Sequence, residues 1–310
     1  MMKVKRTDTF GTVVAKDWKR NRVLYMLLLP AIIYYTMFHY IPIFGNIIAF
    51  KNYQPRMGIL GSQWIGFKNF IDFFKDPSFF PILRNTLNIS VTSIIFSFPA
   101  PIILALLINE LKSKLFTRTV QTISYLPHFV SIVVIAGIIR NFVSTDGLIT
   151  DLLVNFGFTR TNLLNESSMF VPIYVISGIW QEVGWGSIIY LAALTAINIE
   201  LYEAATIDGA GRWKQTLHIT LPCIYPTIIV MLILRLGNVM TVGFEKVMLL
   251  YNPLTYKTAD VISTFTYRSG MINRDFGFAS AVDIFNSVIN CTLLVSANYM
   301  SKKMVGNSIY

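Results

Sequence analysis

Six long apolar runs alternate with polar segments along the chain. They occupy residues 23–50, 85–109, 119–139, 169–193, 221–243 and 278–300. Each run reaches the length of about 20 mostly apolar residues that a transmembrane helix requires. The first run, between Arg22 and Lys51, is too long for the apolar core of a cleavable signal peptide, so we expect it to be retained. The pattern predicts an all-α, polytopic membrane protein with six transmembrane helices.

The distribution of basic residues predicts which connections face the cytoplasm. Seven Lys and Arg residues lie in the tail of residues 1–22, whereas residues 140–168 contain only Arg140 and Arg160. Further basic residues follow the second and the last run, at Lys112, Lys114, Arg118, Lys302 and Lys303. Segments dense in Lys and Arg stay in the cytoplasm. We therefore expect cytoplasmic tails at 1–22 and 301–310, an extracellular loop at 51–84, a core of five helices at 85–300, and a cytoplasmic loop at 198–222.

The predicted extracellular loop contains an amphipathic segment. Apolar residues recur there at helical spacing, and polar residues occupy the other face: Phe67, Phe70, Ile71 and Phe74 against Lys68, Asn69, Asp72 and Lys75. This spacing predicts an interfacial helix with its aromatic rings among the lipid headgroups. Its role is anchoring or, alternatively, docking of an external protein.

The composition agrees with a membrane protein and excludes several other classes. Of the 310 residues, 54% are hydrophobic and 14% are charged, and the mean hydropathy is +0.56. An average globular domain has about 25% charged residues, so a secreted, fibrous or disordered protein is excluded. The net charge of +10 does not indicate a nucleic-acid partner, because the basic residues lie mostly beside apolar runs, where they contact membrane lipid.

Catalytic and metal-binding motifs are missing from the sequence. HExxH and GxSxG do not occur, and His39, His128 and His218 lie far apart, so each is expected to form local hydrogen bonds. Cys223 and Cys291 make no CxxC pair and lie in separate apolar runs, which favours two buried thiols over a metal or redox site. We expect no catalytic residues and no metal ligands, and the chain is not predicted to be an enzyme.

The segment of residues 198–222, here called the elbow, is too polar to span a membrane and too patterned for a random connection. Asn198 is predicted to be an N-cap, and Gly209 and Gly211 are predicted to end the helix that follows it. Residues 212–218 are predicted to form a second short helix, and Pro222 to open the fifth apolar run. Asp208 either caps the second helix or is an ordinary solvated charge.

The elbow also carries a spaced sequence motif. Glu203-Ala204-Ala205, three residues, Gly209, nine residues and then residues 219–222 (Ile-Thr-Leu-Pro) match the EAA signature of ABC importer permeases without a gap. Over residues 70–300, the chain therefore resembles the inner membrane component of a binding-protein-dependent ABC importer. The resemblance implies a type I ABC importer permease fold in which the elbow is a cytoplasmic coupling helix.

Further motifs are similar to the carbohydrate branch of that family, which includes the maltose-type permeases. They are Asp208-Gly209-Ala210 with Arg212-Trp213, the run Gly66-Phe67-Lys68-Asn69-Phe70, Asp76-Pro77 and Asn85-Thr86. Residues 19–51 resemble permeases of the LplB type, which import oligosaccharides and polysaccharide fragments in Gram-positive bacteria. The resemblance thus implies a sugar permease in the cell membrane of such a bacterium.

The resemblance also implies a set of partners. They are a second homologous permease subunit, two ABC ATPase subunits, an extracellular solute-binding lipoprotein and the sugar itself. The chain has no GxxxxGK[ST] loop, the motif that binds nucleotide phosphates. We therefore expect no cofactor in this chain, and we expect the partner ATPases to bind ATP and Mg. The residues implied in ATPase coupling are Glu203, Ala204, Ala205, Asp208, Gly209 and Arg212, with Glu203 meeting a basic residue of the ATPase groove.

Charges within the apolar runs suggest a substrate path. Charged residues inside membrane spans usually face a water-filled cavity or a partner, and Glu182 and Arg235 flank the elbow on the two spans that line the sugar site in maltose-type relatives. The proposed path comprises Trp180, Glu182, Trp185, Arg235, Asn238 and Asn286. Alternatively, Glu182 and Arg235 pair with each other, the tryptophans mark the headgroup belt, and Asn286 and Asn290 join helices.

Two other classes of protein remain as alternatives. An ion-coupled secondary transporter would work without ATPase partners and would show broken helices in paired, inverted repeats, but the sequence has no convincing repeat. A membrane scaffold would have no reason to keep the spacing from Glu203 to Pro222.

Overall fold

The computed structural model describes residues 10–305, which are mainly helical. The first half contains α1 (Phe10–Tyr35), α2 (Ile41–Gly45), β1 (Lys51–Asn52), α3 (Gly58–Gly61), β2 (Gln63–Trp64), α4 (Lys68–Lys75), α5 (Phe79–Ser97), α6 (Pro99–Asn109), α7 (Lys114–Tyr125), α8 (Ile132–Phe142) and α9 (Leu148–Asn155). The second half contains α10 (Phe170–Thr195), α11 (Ile199–Ile207), α12 (Arg212–Gln215), α13 (Leu221–Leu236), α14 (Phe244–Leu250), α15 (Tyr256–Ala259), α16 (Ile262–Tyr267) and α17 (Phe276–Val305). Strands β1 and β2 pair antiparallel.

The predicted tails lie partly outside the described residues, namely at 1–9 and 306–310. From Phe10 onward the chain is already helical, with a kink at Asn21 (φ −115°, ψ 22°). At the other end, α17 continues through the predicted start of the C-terminal tail to Val305.

Within the described residues, four helical stretches are long and apolar enough to cross a membrane. They are Arg20–Phe50, Phe79–Asn109, Arg212–Leu236 and Phe276–Lys303. Two bent pairs each add a span when the pair is counted as one unit: Lys114–Phe129 with Ile132–Phe142, and Phe170–Thr195 with Ile199–Ile207. Counted in this way, the described residues hold the six predicted spans.

The third apolar run, residues 119–139, is not the single helix that its hydropathy predicts. α7 ends at Tyr125, and α8 follows after a bend of 101°. Pro127 lacks the backbone N–H that a continuing helix needs. Ser131 starts the new helix, because its hydroxyl accepts a hydrogen bond from the amide of Val134 (3.4 Å). The third predicted span is therefore a bent pair of helices and not one continuous helix.

α10 is the central helix of the bundle and contacts α5, α6, α7 and α13. Its approach to α7 requires a residue without a side chain, because a Cβ built on Gly184 would lie 2.1 Å from the carbonyl oxygen of Ser124. Small residues of this kind allow membrane helices to pack backbone against backbone. The close contact fixes the bent third span against α10.

Hydrogen bonds join the connection before α10 to the segment after α14 at one end of α10. Asn252 Nδ2 donates to the carbonyl of Leu164 (2.9 Å), and Thr258 Oγ1 donates to the carbonyl of Ser167 (2.6 Å). At the opposite end of α10, an ion pair between Arg212 and Glu110 (3.3 Å) joins the elbow to the connection after the second span. The predicted inner and outer connections thus lie at opposite ends of the bundle.

α4 occupies the position predicted for the interfacial helix, but its inward face differs from the prediction. Phe67, Ile71 and Phe74 are exposed as expected. Asn69, which was assigned to the polar face, is buried and donates to the carbonyl of Ala49 (2.8 Å). Phe73 is fully buried among aromatic rings that include Phe79, Phe265, Phe278 and Phe285. α4 is therefore fixed to the bundle by the side that carries Asn69 and Phe73, and the amphipathic spacing of the sequence does not identify this side as buried.

The outward surface of the spans is apolar. Between Val23 and Phe44 no side chain is buried, and the first span contacts α17 through its last turn, Asn46–Phe50. Cys223 and Cys291 are free and exposed, so the expectation of buried thiols is wrong. An apolar run in a membrane protein presents residues to lipid as well as to the core, so its apolarity does not predict burial.

Candidate functional site

The elbow turns the chain through a short helix with predicted caps. α11 leaves α10 at an angle of 70°. The side chain of Asn198 accepts a hydrogen bond from the amide of Glu200 (3.1 Å), which confirms the N-cap. Gly209 adopts φ +75°, and the amide of Ala210 donates to the carbonyl of Ala205 (2.8 Å), a Schellman ending that requires a left-handed residue.

The predicted second helix of the elbow is not a separate element. α12 continues through a π-helical turn (Thr216–Thr220) into α13, so that Arg212–Leu236 forms one helix. Pro222 does not break it, because the extra residue of a π turn changes the hydrogen-bonding register just before the proline ring. Gly211 is the N-cap of α12 and has no side-chain cap, so Asp208 does not cap this helix and is exposed.

Side-chain hydrogen bonds brace the two arms of the elbow. Tyr202 Oη and Thr220 Oγ1 lie 2.9 Å apart and connect α11 to the start of α13. Gln215 Nε2 donates to Thr206 Oγ1 and to the carbonyl of Ala210, both at 3.0 Å. Sequence reasoning missed these residues, because their partners become apparent only once the angle of the elbow is known.

The candidate coupling residues lie on an open surface. Glu203, Ala204, Asp208 and Gly209 are exposed, and Ala205 is half-buried. Arg212 is held by its ion pair with Glu110. Large apolar side chains surround them, with Ile207 at 87% exposure and Trp213 at 74%. The elbow is rigid, exposed and partly apolar, and such a surface is suited to docking in a groove of another protein.

A cavity of about 980 Å³ lies between α5, α10, α13 and α14. Four of the six candidate path residues line it: Glu182, Trp185, Arg235 and Asn238. Its remaining surface combines apolar side chains with hydroxyls and amides, among them Ser90, Ser93, Tyr174, Gln181 and Thr241. This volume lies at the upper end of the range of about 300–1,000 Å³ that is usual for small-molecule sites.

Glu182 pairs with a histidine and not with Arg235. His128 Nδ1 and Glu182 Oε2 are 3.0 Å apart, and the His128 ring stacks on Trp185 with a centroid distance of 4.5 Å and an interplanar angle of 2°. Among the described residues, Glu182 and Arg235 form no ion pair with each other, so that alternative is wrong. The break in the third span is what brings His128 to α10, and sequence spacing gives no sign of this contact.

Lys246 is a cavity residue that sequence reasoning missed, because it follows the fifth apolar run on α14. Its side chain is buried, and Nζ donates to the carbonyl of Tyr174 (3.0 Å) while lying 4.8 Å from the centroid of the Tyr174 ring. Burial lowers the pKa of Lys246 to about 8, and the negative charge of Glu182 acts in the opposite direction. The ammonium therefore remains mostly protonated at neutral pH.

Two candidate path residues do not line the cavity. Trp180 lies on α10, but its exposed side chain is outside the cavity. Asn286 lies on α17, and its Oδ1 is buried without a hydrogen-bond partner among the described residues. Its neighbour Asn290 joins α17 to the connection between α13 and α14: Oδ1 accepts from the amide of Met240 (2.9 Å), and Nδ2 donates to Thr241 Oγ1 (3.0 Å).

Comparison with known proteins identifies the family and its relatives. A family model described as "binding-protein-dependent transport system inner membrane component" matches residues 82–306. The polygalacturonan/rhamnogalacturonan transport system permease protein YteP of Bacillus subtilis (strain 168) is 42% identical over 308 residues, which are 96% of each chain. Protein LplB of the same organism is 44% identical over 286 residues, which are 92% of this chain and 90% of LplB.

Solved structures share the fold. A bacterial ABC transporter involved in the import of the acidic polysaccharide alginate contains a chain that is 46% identical, with a TM-score of 0.87, covering 94% of this chain and 99% of that one. The alginate transporter in complex with its pentasaccharide-bound periplasmic protein gives a TM-score of 0.87 at 45% identity, covering 95% of this chain and 99% of that one.

Proposed function

Since the chain belongs to the family of binding-protein-dependent transport system inner membrane components, we propose that it is the permease subunit of an ATP-driven importer of sugars. Members of this family are transport subunits and not enzymes. The substrates are oligosaccharides or fragments of polysaccharides, a class supported by relatives named for polygalacturonan, rhamnogalacturonan and alginate.

The proposed transporter is an assembly in the cell membrane. The chain pairs with a second homologous permease, two ABC ATPase subunits that bind ATP and Mg, and an extracellular solute-binding lipoprotein. Both termini lie in the cytoplasm of a Gram-positive bacterium. The periplasmic protein bound to the related alginate transporter supports the binding-protein partner.

The elbow carries this proposal. It is exposed, it is braced internally, and it connects the two cavity-lining helices α10 and α13. An ATPase that grips α11 can therefore move both walls of the cavity as rigid bodies and switch it between outward-open and inward-open states. Glu203, at the exposed centre of α11, forms the charged contact with the ATPase.

Reversal of the charge at Glu203 tests the coupling contact. We expect Glu203→Lys to uncouple transport, because a like charge would face the basic residue of the ATPase groove. In proteoliposomes of the assembled transporter, uptake driven by the loaded binding protein should fall at least about tenfold, since loss of one partner of an interfacial charge pair has an effect of that order.

The matched control is Glu166→Lys, which reverses an exposed acidic residue in a loop at the other end of α10. It should retain uptake and stimulated ATPase activity. Co-purification provides a second measurement: tagged wild-type chain should bring down a permease and an ATPase. Unchanged uptake in Glu203→Lys, or a chain that brings down neither partner, would contradict the proposal, and the latter result would favour an ion-coupled transporter.

A further inference from the structure

We propose that Lys246, Arg235 and Tyr174 form a carboxylate-binding subsite of the cavity, which favours oligosaccharides containing uronic acids over neutral ones. This inference rests on the proposed function, because it names the substrate class of the same cavity. It assigns the recognition of charge to the permease itself, in addition to any selection by a binding protein.

The ammonium of Lys246 is held in one place. The side chain is 7% exposed, and Nζ is fixed by the carbonyl of Tyr174 at 3.0 Å. A Cβ built on Gly178 would lie 3.4 Å from Nζ, so the ammonium rests directly against the backbone of α10, one turn before Glu182. A buried and positioned cation of this kind is arranged before any ligand arrives.

Among the described residues, neither cation of the cavity forms an ion pair with a carboxylate, although the negative charge of Glu182 acts on Lys246. Across residues 20–303, whose side chains the structure describes, no carboxylate oxygen lies within ion-pair distance of Lys246 or Arg235. Glu182 is engaged by His128, and Glu245, also in the lining, is exposed. A buried ammonium has three donors and is costly to leave unpaired, so an anionic ligand would satisfy it.

Tyr174 provides a third donor in the lining of the same cavity. Its ring lies beneath the Lys246 ammonium, with 4.8 Å from Nζ to the ring centroid, and Arg235 lines the same cavity. The amide of Gly243 donates to Tyr174 Oη (3.1 Å), so the hydroxyl hydrogen is available for an oxygen of the ligand. An ammonium, a planar guanidinium and a phenol together match the two oxygens of a carboxylate.

The rest of the cavity suits the sugar to which the carboxylate belongs. Trp185 lines the same space, and with His128 stacked on one face its remaining surface is available to an apolar face of a pyranose ring. Asn238 and Ser93 provide an amide and a hydroxyl in the lining for sugar hydroxyls. A ligand that is both ring-shaped and acidic uses all of these groups.

Uptake of a charged and a neutral form of one oligosaccharide tests the subsite. The assembled transporter, with both permeases, ATPases and binding protein, would be reconstituted, and uptake of trigalacturonate compared with that of its methyl ester. We expect Lys246→Met to lower uptake of trigalacturonate at least about tenfold and uptake of the ester less than about threefold, because only the free acid carries the charge. The binding protein is the same in every measurement, so its own preference cancels between variants.

Two further variants separate charge recognition from folding. Lys246→Arg should retain the preference for the acid, and Lys257→Met, which removes an exposed cation of α15 outside the cavity, should leave it unchanged. Thermal unfolding of the nucleotide-free transporter without binding protein provides an independent readout. Trigalacturonate should raise the melting temperature of wild type and of Lys257→Met, but not that of Lys246→Met.

The outcomes distinguish this inference from the proposed function. A Lys246→Met variant that slows both substrates equally, or keeps the thermal shift, overturns the subsite while importer function stands. A wild-type assembly that imports neither compound and shows no stimulated ATPase activity contradicts the proposed function, and the thermal shift then decides the subsite by itself.

Discussion

Gly209 determines the direction of the elbow at a single residue. Its φ of +75° is a left-handed conformation that costs other residues about 1–2 kcal/mol. No neighbouring atom lies within 4 Å of a Cβ built there, so any penalty comes from the backbone alone and not from a clash. A substitution at Gly209 therefore tests the effect of backbone conformation without adding a steric clash.

Replacement of this glycine by alanine should impair coupling. We expect Gly209→Ala to destabilise the elbow by about 1–2 kcal/mol and to lower ATP-driven uptake, because α11 would end at a different angle. The control is Gly137→Ala, since Gly137 lies inside α8 without a positive φ and has equally open surroundings. Thermal unfolding and uptake of the two variants would be compared, and equal behaviour would contradict the assigned role.

Some residue roles can be predicted from sequence, and others cannot. Asn198 and Gly209 could be assigned because capping depends on neighbours only a few positions away. The contact of His128 with Glu182 spans 54 positions and depends on the break after Phe129, which hydropathy does not encode. Lys246 was missed because a search for charges inside apolar runs stops before α14.

At the scale of elements, the hydrogen bond between Tyr202 and Thr220 is, among the described residues, one of two hydrogen bonds between side chains that join the arms of the elbow. We expect Tyr202→Phe to weaken coupling between ATPase activity and uptake, because it removes the contact with Thr220 and keeps the ring. The net contribution of such a bond is about 0.5–1.5 kcal/mol. Uptake per ATP hydrolysed in proteoliposomes would measure the effect.

The control for this prediction is another tyrosine of the same region. Tyr225→Phe removes an exposed hydroxyl of α13 that has no hydrogen bond among the described residues. It should leave the ratio of uptake to ATP hydrolysis unchanged. If both variants behave like wild type, the hydrogen bond of Tyr202 has no part in transmitting motion.

Sequence patterns predict which elements exist better than how they are oriented. The helical spacing of residues 67–75 correctly predicts α4, but it records which residues are apolar and not which side meets protein, so the burial of Asn69 was not foreseen. Likewise, the third apolar run has the length of a span, whereas Pro127 and Ser131 decide that it bends.

At the scale of the whole molecule, the sidedness of the chain can be tested directly. In a variant with Cys223 and Cys291 replaced by alanine, we expect Ile207→Cys to react with a membrane-impermeant maleimide only from the cytoplasmic side, since positively charged connections stay inside. Leu60→Cys, at a position 94% exposed between β1 and β2, should react only from outside. Right-side-out and inside-out vesicles would be compared.

Two results of this labelling would be decisive. Reaction of both cysteines from one side would contradict the predicted topology, because Ile207 and Leu60 belong to connections at opposite ends of the bundle. Protection of Ile207→Cys when the ATPase is bound would support the elbow as its docking surface, and equal reactivity with and without the ATPase would contradict it.

The unbroken helix from Arg212 to Leu236 connects the proposed ATPase contact in the elbow to the wall of the cavity. From Trp213 to Arg235 it extends about 33 Å at 1.5 Å per residue. A tilt of about 5° imposed at the cytosolic end would displace the guanidinium by about 3 Å, the length of a hydrogen bond. Release of the sugar would then need no separate gate, because Arg235 would move away from the sugar whenever the ATPase tilts the helix.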